Sequence, residues 1–345
     1  MTIAGYDKSL QDHYFSLYHK YILPALGPRP DGITGEPFWR SPMTDSCGLI
    51  EPSLNRHGGS TVVRFGVSPV SRDSFTAVDP LNQHPVAKLV RQLAEDDSSV
   101  DLTWFSHFER ELFISREEAS SLHGLIPSGK LAIQGTLAFD LVDRAFVPKA
   151  VFFPHAKAML RGMSSVDCLW ESILKLDMPC LSLRPALDTL RSYLTTCPRL
   201  PDGTPSVLLA TMGFDCVLPE SSRIKIYLCT SMITLEKVRE VYTLNGRLKN
   251  EKTMRSLKVI EALWESLVTD PDSRNISPNA MNTSVMLFNF EITPGHPLPN
   301  PKIYIPAMHF SNNDQQIMDT VVNLYQEQGW AGLAASYREN LPRIL

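Results

Sequence analysis

Lysine recurs at a fixed interval in three short apolar segments of this chain. Lys149 begins Lys-Ala-Val-Phe-Phe-Pro, Lys225 lies within Arg-Ile-Lys-Ile-Tyr-Leu, and Lys302 begins Lys-Ile-Tyr-Ile-Pro. The intervals from 149 to 225 and from 225 to 302 are 76 and 77 residues. Because a period of this length indicates a repeated supersecondary unit, we expect the three ammonium groups to converge on one site.

The segment around Lys225 alternates polar and apolar residues, as a strand with two different faces does. Arg223, Lys225 and Tyr227 then share one face, and the apolar residues of the other face are Ile224, Ile226 and Leu228. For this strand alone, a solvated face is the simpler interpretation. The recurrence of lysine favours a functional site instead.

Cations on this polar face would form an anion site. Its predicted members are Arg64, Lys149, Arg223, Lys225 and Lys302. A buried cluster of like charges is costly unless an anion compensates it, and arginine and lysine both suit phosphate oxygens. Tyr227 and Tyr304 each lie two residues beyond a lysine, where their rings could shield a carbocation. For either tyrosine alone, cross-strand packing is the alternative.

Glu51 is the acidic residue that we expect near this site. With a hairpin turn centred on residues 57 and 58, Glu51 falls opposite Arg64. A plain cross-strand ion pair, weak if exposed, is one interpretation. In a closed lumen, Glu51 could instead accept a proton or a hydrogen bond from a substrate N–H or O–H.

Composition excludes several classes of protein. The 345 residues are 43% hydrophobic and 20% charged with a net charge of -4, which offers no basic field for nucleic acid and no membrane span. The six cysteines lack metal-type spacing, so we expect reduced thiols in a cytoplasmic protein. The run Asp96-Asp97-Ser-Ser-Val-Asp101 approaches a magnesium-binding pattern, but its third acid is one residue late. We therefore predict no metal site and no cofactor.

The predicted elements repeat as helix, strand, strand, helix. Strands are predicted at residues 47–55, 60–69, 102–108, 130–141, 145–153, 206–217, 222–229, 284–292 and 302–307. Hairpins joined only by helices give an antiparallel sheet, whose apolar face the helices must cover. The sheet is either open with a wet face or closed around a polar lumen, and closure removes exposed edges. We predict an α+β fold with one domain over residues 1–345, an antiparallel β-barrel ringed by helices.

Nine short motifs, in this order and spacing, give the chain a family resemblance. It resembles the fungal aromatic prenyltransferases of the dimethylallyltryptophan synthase family. The motifs are YILPALGP (21–28), WRSPMT (39–44), GLIEPSLN (48–55), VRF (63–65), LAFDL (137–141), KAVFFP (149–154), DC (215–216), RIKIY (223–227) and KIYIP (302–306). The resemblance implies a barrel of ten antiparallel strands, built from αββα units, and a substrate pair of dimethylallyl diphosphate and an aromatic acceptor, usually an indole.

The resemblance also implies roles for individual residues. The diphosphate would be bound by Arg64, Lys149, Arg223, Lys225 and Lys302. Tyr227 and Tyr304 would shield the dimethylallyl cation, which forms without a metal ion. Glu51 would contact the indole N–H as the catalytic carboxylate. The acceptor pocket would include Met43, Thr136, Phe153 and Ala210.

Departures from the family pattern concern the acceptor. Thr136 stands where members that prenylate C4 of tryptophan carry a proton-transferring lysine, and Val151 and Phe153 replace tyrosines. Ala210 replaces an arginine that would bind the carboxylate of tryptophan. The expected acceptor is therefore an indole diketopiperazine, another indole alkaloid or a polyketide phenol; the position prenylated and the prenyl chain length stay open.

Both ends are short relative to the family, and the terminal hairpin is expected to be missing. One alternative is therefore a truncated, non-catalytic barrel that binds an anionic or aromatic ligand. An acyl-phosphate or nucleotide enzyme is disfavoured because the sequence has no glycine-rich phosphate loop. We expect no nucleic-acid or membrane partner, and a homodimer is left open.

Overall fold

The computed structural model describes residues 1–29, 49–57, 60–122, 133–176, 182–267, 286–307 and 313–343. The strands in these ranges are β1 (Ile50–His57), β2 (Ser60–Val67), β3 (Gly135–Val142), β4 (Ala145–Phe152), β5 (Leu208–Asp215), β6 (Ile224–Thr230), β7 (Met286–Ile292) and β8 (Asn300–Tyr304). The α-helices are α1 (Lys8–Leu17), α2 (His84–Asp96), α3 (Thr103–Leu112), α4 (Arg116–Ser121), α5 (His155–Leu160), α6 (Ser165–Leu174), α7 (Arg184–Thr196), α8 (Leu235–Tyr242), α9 (Glu251–Leu267), α10 (Asp314–Glu327) and α11 (Ala331–Asn340).

The strands form one sheet in which they follow each other in chain order from β1 to β8. Antiparallel pairing joins β1 to β2, β2 to β3, β3 to β4, β4 to β5, and β7 to β8. The β3–β4 hairpin turns at Asp143 and Arg144, both with positive φ of 51° and 63°. Two such residues match the twist of flanking strands. The predicted antiparallel meander of hairpins and helices is confirmed.

The predicted apolar face of β6 is confirmed. Its members, Ile224, Ile226 and Leu228, are 0% exposed. On β7 the corresponding residues are Met286, Phe288, Phe290 and Ile292, which are also fully buried. Strand alternation therefore turns the intervening polar residues to the opposite face.

The chain divides into two compact units. The first comprises Met1–Leu183, Thr211–Lys225 and Thr293–Gly295, and the second comprises Arg184–Ala210, Ile226–Ile292 and His296–Leu345. The single domain predicted from the sequence stays a prediction. None of the described helices has the length and apolar character needed to cross a bilayer.

Aromatic rings form much of the core of the first unit. Phe105 of α3 packs edge-on against Phe152 of β4, with ring centroids 5.4 Å apart. Phe214 of β5 lies 4.9 Å from Phe108 of α3 and 5.4 Å from Phe152. These contacts pack α3 against the apolar face of β4 and β5. The polar side chains of the same strands lie on the opposite face.

The strand predicted at residues 102–108 is wrong, because this segment belongs to α3. The Asp101 carboxylate accepts a hydrogen bond of 2.8 Å from the Thr103 amide where the helix begins. The buried residues Trp104, Phe108 and Leu112 recur every four positions, which is the spacing of a helix face. The four-residue period continues to Leu112, beyond the segment predicted as a strand, and it is not recognisable within residues 102–108 alone.

Candidate active site

Each of the three recurring lysines forms an ion pair with a carboxylate on the preceding strand. The pairs are Asp140 with Lys149 on β3 and β4, Asp215 with Lys225 on β5 and β6, and Glu291 with Lys302 on β7 and β8. The Nζ–O distance is 2.7 Å for Lys225 and 2.6 Å for Lys302. The lysine period thus reflects a repeated pair of opposite charges.

The lysine and its carboxylate are arranged in the same way in the β3–β4 and β7–β8 hairpins. Lys149 lies opposite Ala138, and Asp140 is two residues nearer the turn. Lys302 lies opposite Asn289, and Glu291 is again two residues nearer the turn. Each lysine therefore reaches diagonally across its hairpin, along one face of the sheet.

Asp140 joins Lys149 to the first predicted arginine. It lies directly opposite Arg64 in the β2–β3 register. Its carboxylate accepts hydrogen bonds from Arg64 Nε and, at 3.0 Å, from Arg64 Nη2, as well as from Lys149 Nζ. This two-point contact with a guanidinium fixes the direction of both side chains.

Asp215 has the same role on β5, where it lies opposite Lys149 in the β4–β5 register. Its two oxygens accept hydrogen bonds from Arg223 Nε at 3.0 Å and from Lys225 Nζ at 2.7 Å. The carboxylate is therefore bordered by cations on both neighbouring strands.

These contacts define what we call the charge ladder. Its members are Arg64, Asp140, Lys149, Asp215, Arg223 and Lys225. Along β2, β3, β4, β5 and β6 the sign alternates, beginning and ending with cations. Within this set of six residues, four cations outnumber two carboxylates by two charges. That excess suits an oxyanion with several negative charges.

Burial and pairing shift the pKa values of the ladder. Burial alone would raise the pKa of Asp140, but hydrogen bonds from Arg64 and Lys149 outweigh it and lower the pKa to about 2. Burial lowers the pKa of Lys225 to about 8, against the attraction of Asp215. The pKa of Lys149 is also lowered by burial. Lys225 is still mostly protonated at pH 7, and a bound anion would favour its charged form further.

The second unit contains the other predicted cation and both tyrosines. Lys302 is bound to Glu291, and Tyr304 lies two residues further along β8. The rings of Tyr227 and Tyr304 lie 6.3 Å apart between centroids at an interplanar angle of 37°. The structure therefore brings the two tyrosines together, and their role as a carbocation shield stays a prediction.

Glu51 does not lie opposite Arg64, contrary to the sequence prediction. Glu51 pairs with Gly66, and Arg64 pairs with Ser53. The centre of this register falls one position later than predicted, which moves the cross-strand partner by two residues. Glu51 is exposed on β1 and shares the face of Arg64, whose carboxylate partner is Asp140. Its contact with an indole N–H stays a prediction.

The predicted acceptor residues fall in different places. Thr136 is buried on β3 opposite Val151, and the Phe153 amide, just beyond β4, donates to the Gln134 carbonyl at 3.0 Å. Ala210 is a partly buried residue of β5 in the second unit. Met43 lies outside the described residues. The acceptor roles of all four stay predictions.

The carboxylates are the site residues that the sequence analysis missed. Asp140 and Asp215 belong to the LAFDL and DC motifs but were not predicted to have a role, and Glu291 belongs to none of the nine motifs. The intervals from 140 to 215 and from 215 to 291 are 75 and 76 residues, nearly the period of the lysines. A search for periodic acids beside the periodic lysines would have found them.

The aspartate-rich run has local structural roles. Asp96 accepts hydrogen bonds from the Tyr21 hydroxyl at 2.6 Å and forms an ion pair with Lys20 at 2.9 Å. Asp97 accepts from the Ser99 amide at 2.9 Å, and Asp101 from the start of α3. Asp97 and Asp101 thus fix a turn and a helix start near their own positions, and Asp96 joins the end of α2 to residues 20 and 21.

The antiparallel sheet of helix-flanked hairpins is also the fold of solved prenyltransferases, such as NotF at a TM-score of 0.82 and 25% identity, covering 98% of this chain and 81% of that one. Residues 1–340 match the sequence model of the tryptophan dimethylallyltransferase family, and this chain belongs to that family. It is therefore an aromatic prenyltransferase, and the resemblance and fold class inferred from the sequence are confirmed.

Two relatives and one solved structure illustrate the similarity. The chain is 32% identical to indole diterpene prenyltransferase nodD1 of Hypoxylon pulicicidum, over 100% of this chain and 81% of the relative. It is 31% identical to 7-dimethylallyltryptophan synthase hasE of Aspergillus fumigatus, over 98% and 73%. The crystal structure of AnaPT from Neosartorya fischeri superposes with a TM-score of 0.83 at 28% identity, covering 98% of this chain and 80% of that one.

Proposed function

We propose that the charge ladder binds the diphosphate of dimethylallyl diphosphate and that the chain transfers the dimethylallyl group to an indole. The observation that carries this proposal is the convergence of two arginines and two buried lysines on Asp140 and Asp215 along one face of the sheet. Buried cations without an anion are unfavourable. Diphosphate oxygens supply the missing negative charge in the geometry that guanidinium and ammonium groups bind best.

The reaction requires little covalent chemistry from the protein. The C1–O bond of the donor breaks, and its electron pair leaves with the diphosphate, which the ladder stabilises as charge develops. A carbon of the aromatic ring attacks the dimethylallyl cation and forms the new C–C bond. The arenium intermediate then loses a proton and regains aromaticity. The products are prenylated acceptor, diphosphate and one proton.

Three further residues act on the cation and the acceptor. The faces of Tyr227 and Tyr304 stabilise the allyl cation through their quadrupoles and shield it from water. Glu51 accepts a hydrogen bond from the indole N–H, which increases the electron density of the ring. Incubation with dimethylallyl diphosphate and an indole panel tests the proposal, and donor binding without any transfer would favour a non-catalytic binding protein.

Prenyl transfer should continue in the presence of EDTA. The ladder supplies the positive charge that Mg²⁺ supplies to diphosphates in other enzymes, so added divalent cations should stimulate the reaction only modestly. The measurement is the initial rate with and without chelator, after dialysis against EDTA. Complete loss of activity that Mg²⁺ alone restores would contradict this charge balance.

A neutral indole should be a better acceptor than free L-tryptophan. A carboxylate brought out of water needs a charged or hydrogen-bonding partner, and the side chains of Ala210 and Phe153 have no hydrogen-bonding group. We expect kcat/KM for a tryptophan-containing diketopiperazine to exceed that for L-tryptophan by at least about tenfold, roughly 1.4 kcal/mol.

The comparison of the two acceptors should be made at one donor concentration on one enzyme preparation. The matched control is the amide of L-tryptophan, which keeps the amino acid skeleton but lacks the carboxylate. It should resemble the diketopiperazine. If free tryptophan is the better substrate, the placement of Thr136, Phe153 and Ala210 in the acceptor pocket is wrong.

A further inference from the structure

We propose that Asp140 and Asp215 are positioning residues of the donor site and also counter-charges that let the diphosphate product leave. This inference rests on the proposed function of the charge ladder. Each carboxylate would hold one arginine and one lysine in place before the donor arrives. Each would then weaken the attraction between those cations and the released diphosphate.

The positioning role follows from the hydrogen bonds of the two carboxylates. Asp140 on β3 ties Arg64 on β2 to Lys149 on β4. Asp215 binds Arg223 and Lys225 through separate oxygens. An ammonium group has three N–H donors, so a lysine held by one carboxylate can still donate to a phosphate oxygen. The carboxylates thus orient the cations without preventing contact with the donor.

The counter-charge role follows from the balance of charges. Without the two carboxylates, four cations would face the diphosphate on one side of the sheet. Both aspartate side chains are largely buried, 16% and 11% exposed, where water screens their charge poorly. Their negative charges therefore reduce the attraction for any bound anion. Free diphosphate carries more negative charge than the ester donor. Removal of the two carboxylates should therefore strengthen binding of the product more than binding of the donor.

Asp140→Asn and Asp215→Asn test both roles, because asparagine keeps the shape and removes the charge. We expect inorganic diphosphate to bind at least about threefold more tightly to each variant, and kcat to fall at least about tenfold. Loss of positioning alone would weaken diphosphate binding, so tighter binding reports the counter-charge role, while the fall in kcat reports both misplaced cations and slower product release. Weaker or unchanged diphosphate binding in both asparagine variants would overturn the inference.

Asp140→Glu separates the two roles. It retains the charge but displaces the carboxylate, so diphosphate affinity should stay within about twofold of wild type while kcat falls. Asp188→Asn is the matched control, because Asp188 is an exposed residue of α7, and it should leave both quantities unchanged. Thermal unfolding of each variant identifies loss of folding, and Asp215→Asn and Asp140→Glu carry the test if Asp140→Asn does not fold.

Lys149→Met distinguishes failure of this inference from failure of the proposed function. If the ladder is the donor site, Lys149→Met binds inorganic diphosphate at least about tenfold more weakly than wild type. Wild-type affinity in Lys149→Met would place the donor site elsewhere and overturn both proposals. Weak binding in Lys149→Met together with wild-type behaviour of both asparagine variants would overturn only the role of the carboxylates.

Discussion

Replacement of Lys225 by alanine should lower kcat/KM for the prenyl donor by about two to three orders of magnitude. Lys225 is a largely buried cation whose ammonium group is held at 2.7 Å from Asp215. Removal of one preorganised charge from the place where an oxyanion develops typically costs about 2.7–4 kcal/mol of transition-state stabilisation. Lys149→Ala should have a similar effect, because its ammonium group is buried to the same extent. The measurement is steady-state kinetics with the donor as the varied substrate.

Two companion variants make this result specific. Arg223→Lys should also impair turnover, since an ammonium group does not reproduce the directional N–H groups of a guanidinium. Lys88→Ala removes an exposed lysine of α2 and should leave the kinetics unchanged. Near-normal turnover and KM in both Lys225→Ala and Lys149→Ala would show that the ladder is not the donor site.

Phe214→Ala should reduce the free energy of unfolding by about 3–5 kcal/mol, the usual cost of truncating a buried aromatic residue. Phe214 is 0% exposed and packs against Phe108 and Phe152. Its loss leaves a cavity between α3 and the sheet. Urea unfolding monitored by circular dichroism measures the change from the shift in midpoint.

Phe15→Ala is the matched control for this prediction. Phe15 lies on α1 and is 49% exposed, so its truncation should change the unfolding free energy by less than about 1 kcal/mol. Phe214 directly precedes Asp215, on the opposite face of β5. An unfolding midpoint for Phe214→Ala within error of the Phe15→Ala value would mean that the aromatic core contributes little to holding that strand.

Most of the correct predictions from the sequence came from periodic patterns of residues. Strand alternation around Lys225 separated polar from apolar residues correctly, because burial of one face imposes a two-residue period on any strand. The interval between lysines predicted the repeated hairpin, and the structure places Lys149, Lys225 and Lys302 on β4, β6 and β8. The fold class followed from these local rules alone.

The errors arose where a local rule was insufficient. A shift of one residue in the turn position moved the expected partner of Arg64 from Ser53 to Glu51. The carboxylate that forms an ion pair with Arg64 is Asp140 of the next hairpin, and no pattern within the first hairpin could indicate that. The cation cluster was predicted to need an external anion. The structure instead supplies half of the balancing charge from within, through Asp140 and Asp215.

The pairing of opposite charges within each hairpin has a consequence for how the chain folds. Asp140 and Lys149 arrive on one hairpin, and Glu291 and Lys302 arrive together on another. A hairpin that forms early therefore brings its own counter-ion, and docking it against its neighbours never requires burial of an isolated lysine. The exception in the charge ladder is Arg64, whose carboxylate partner Asp140 lies on the next hairpin, so this arginine gains its counter-ion when β2 pairs with β3.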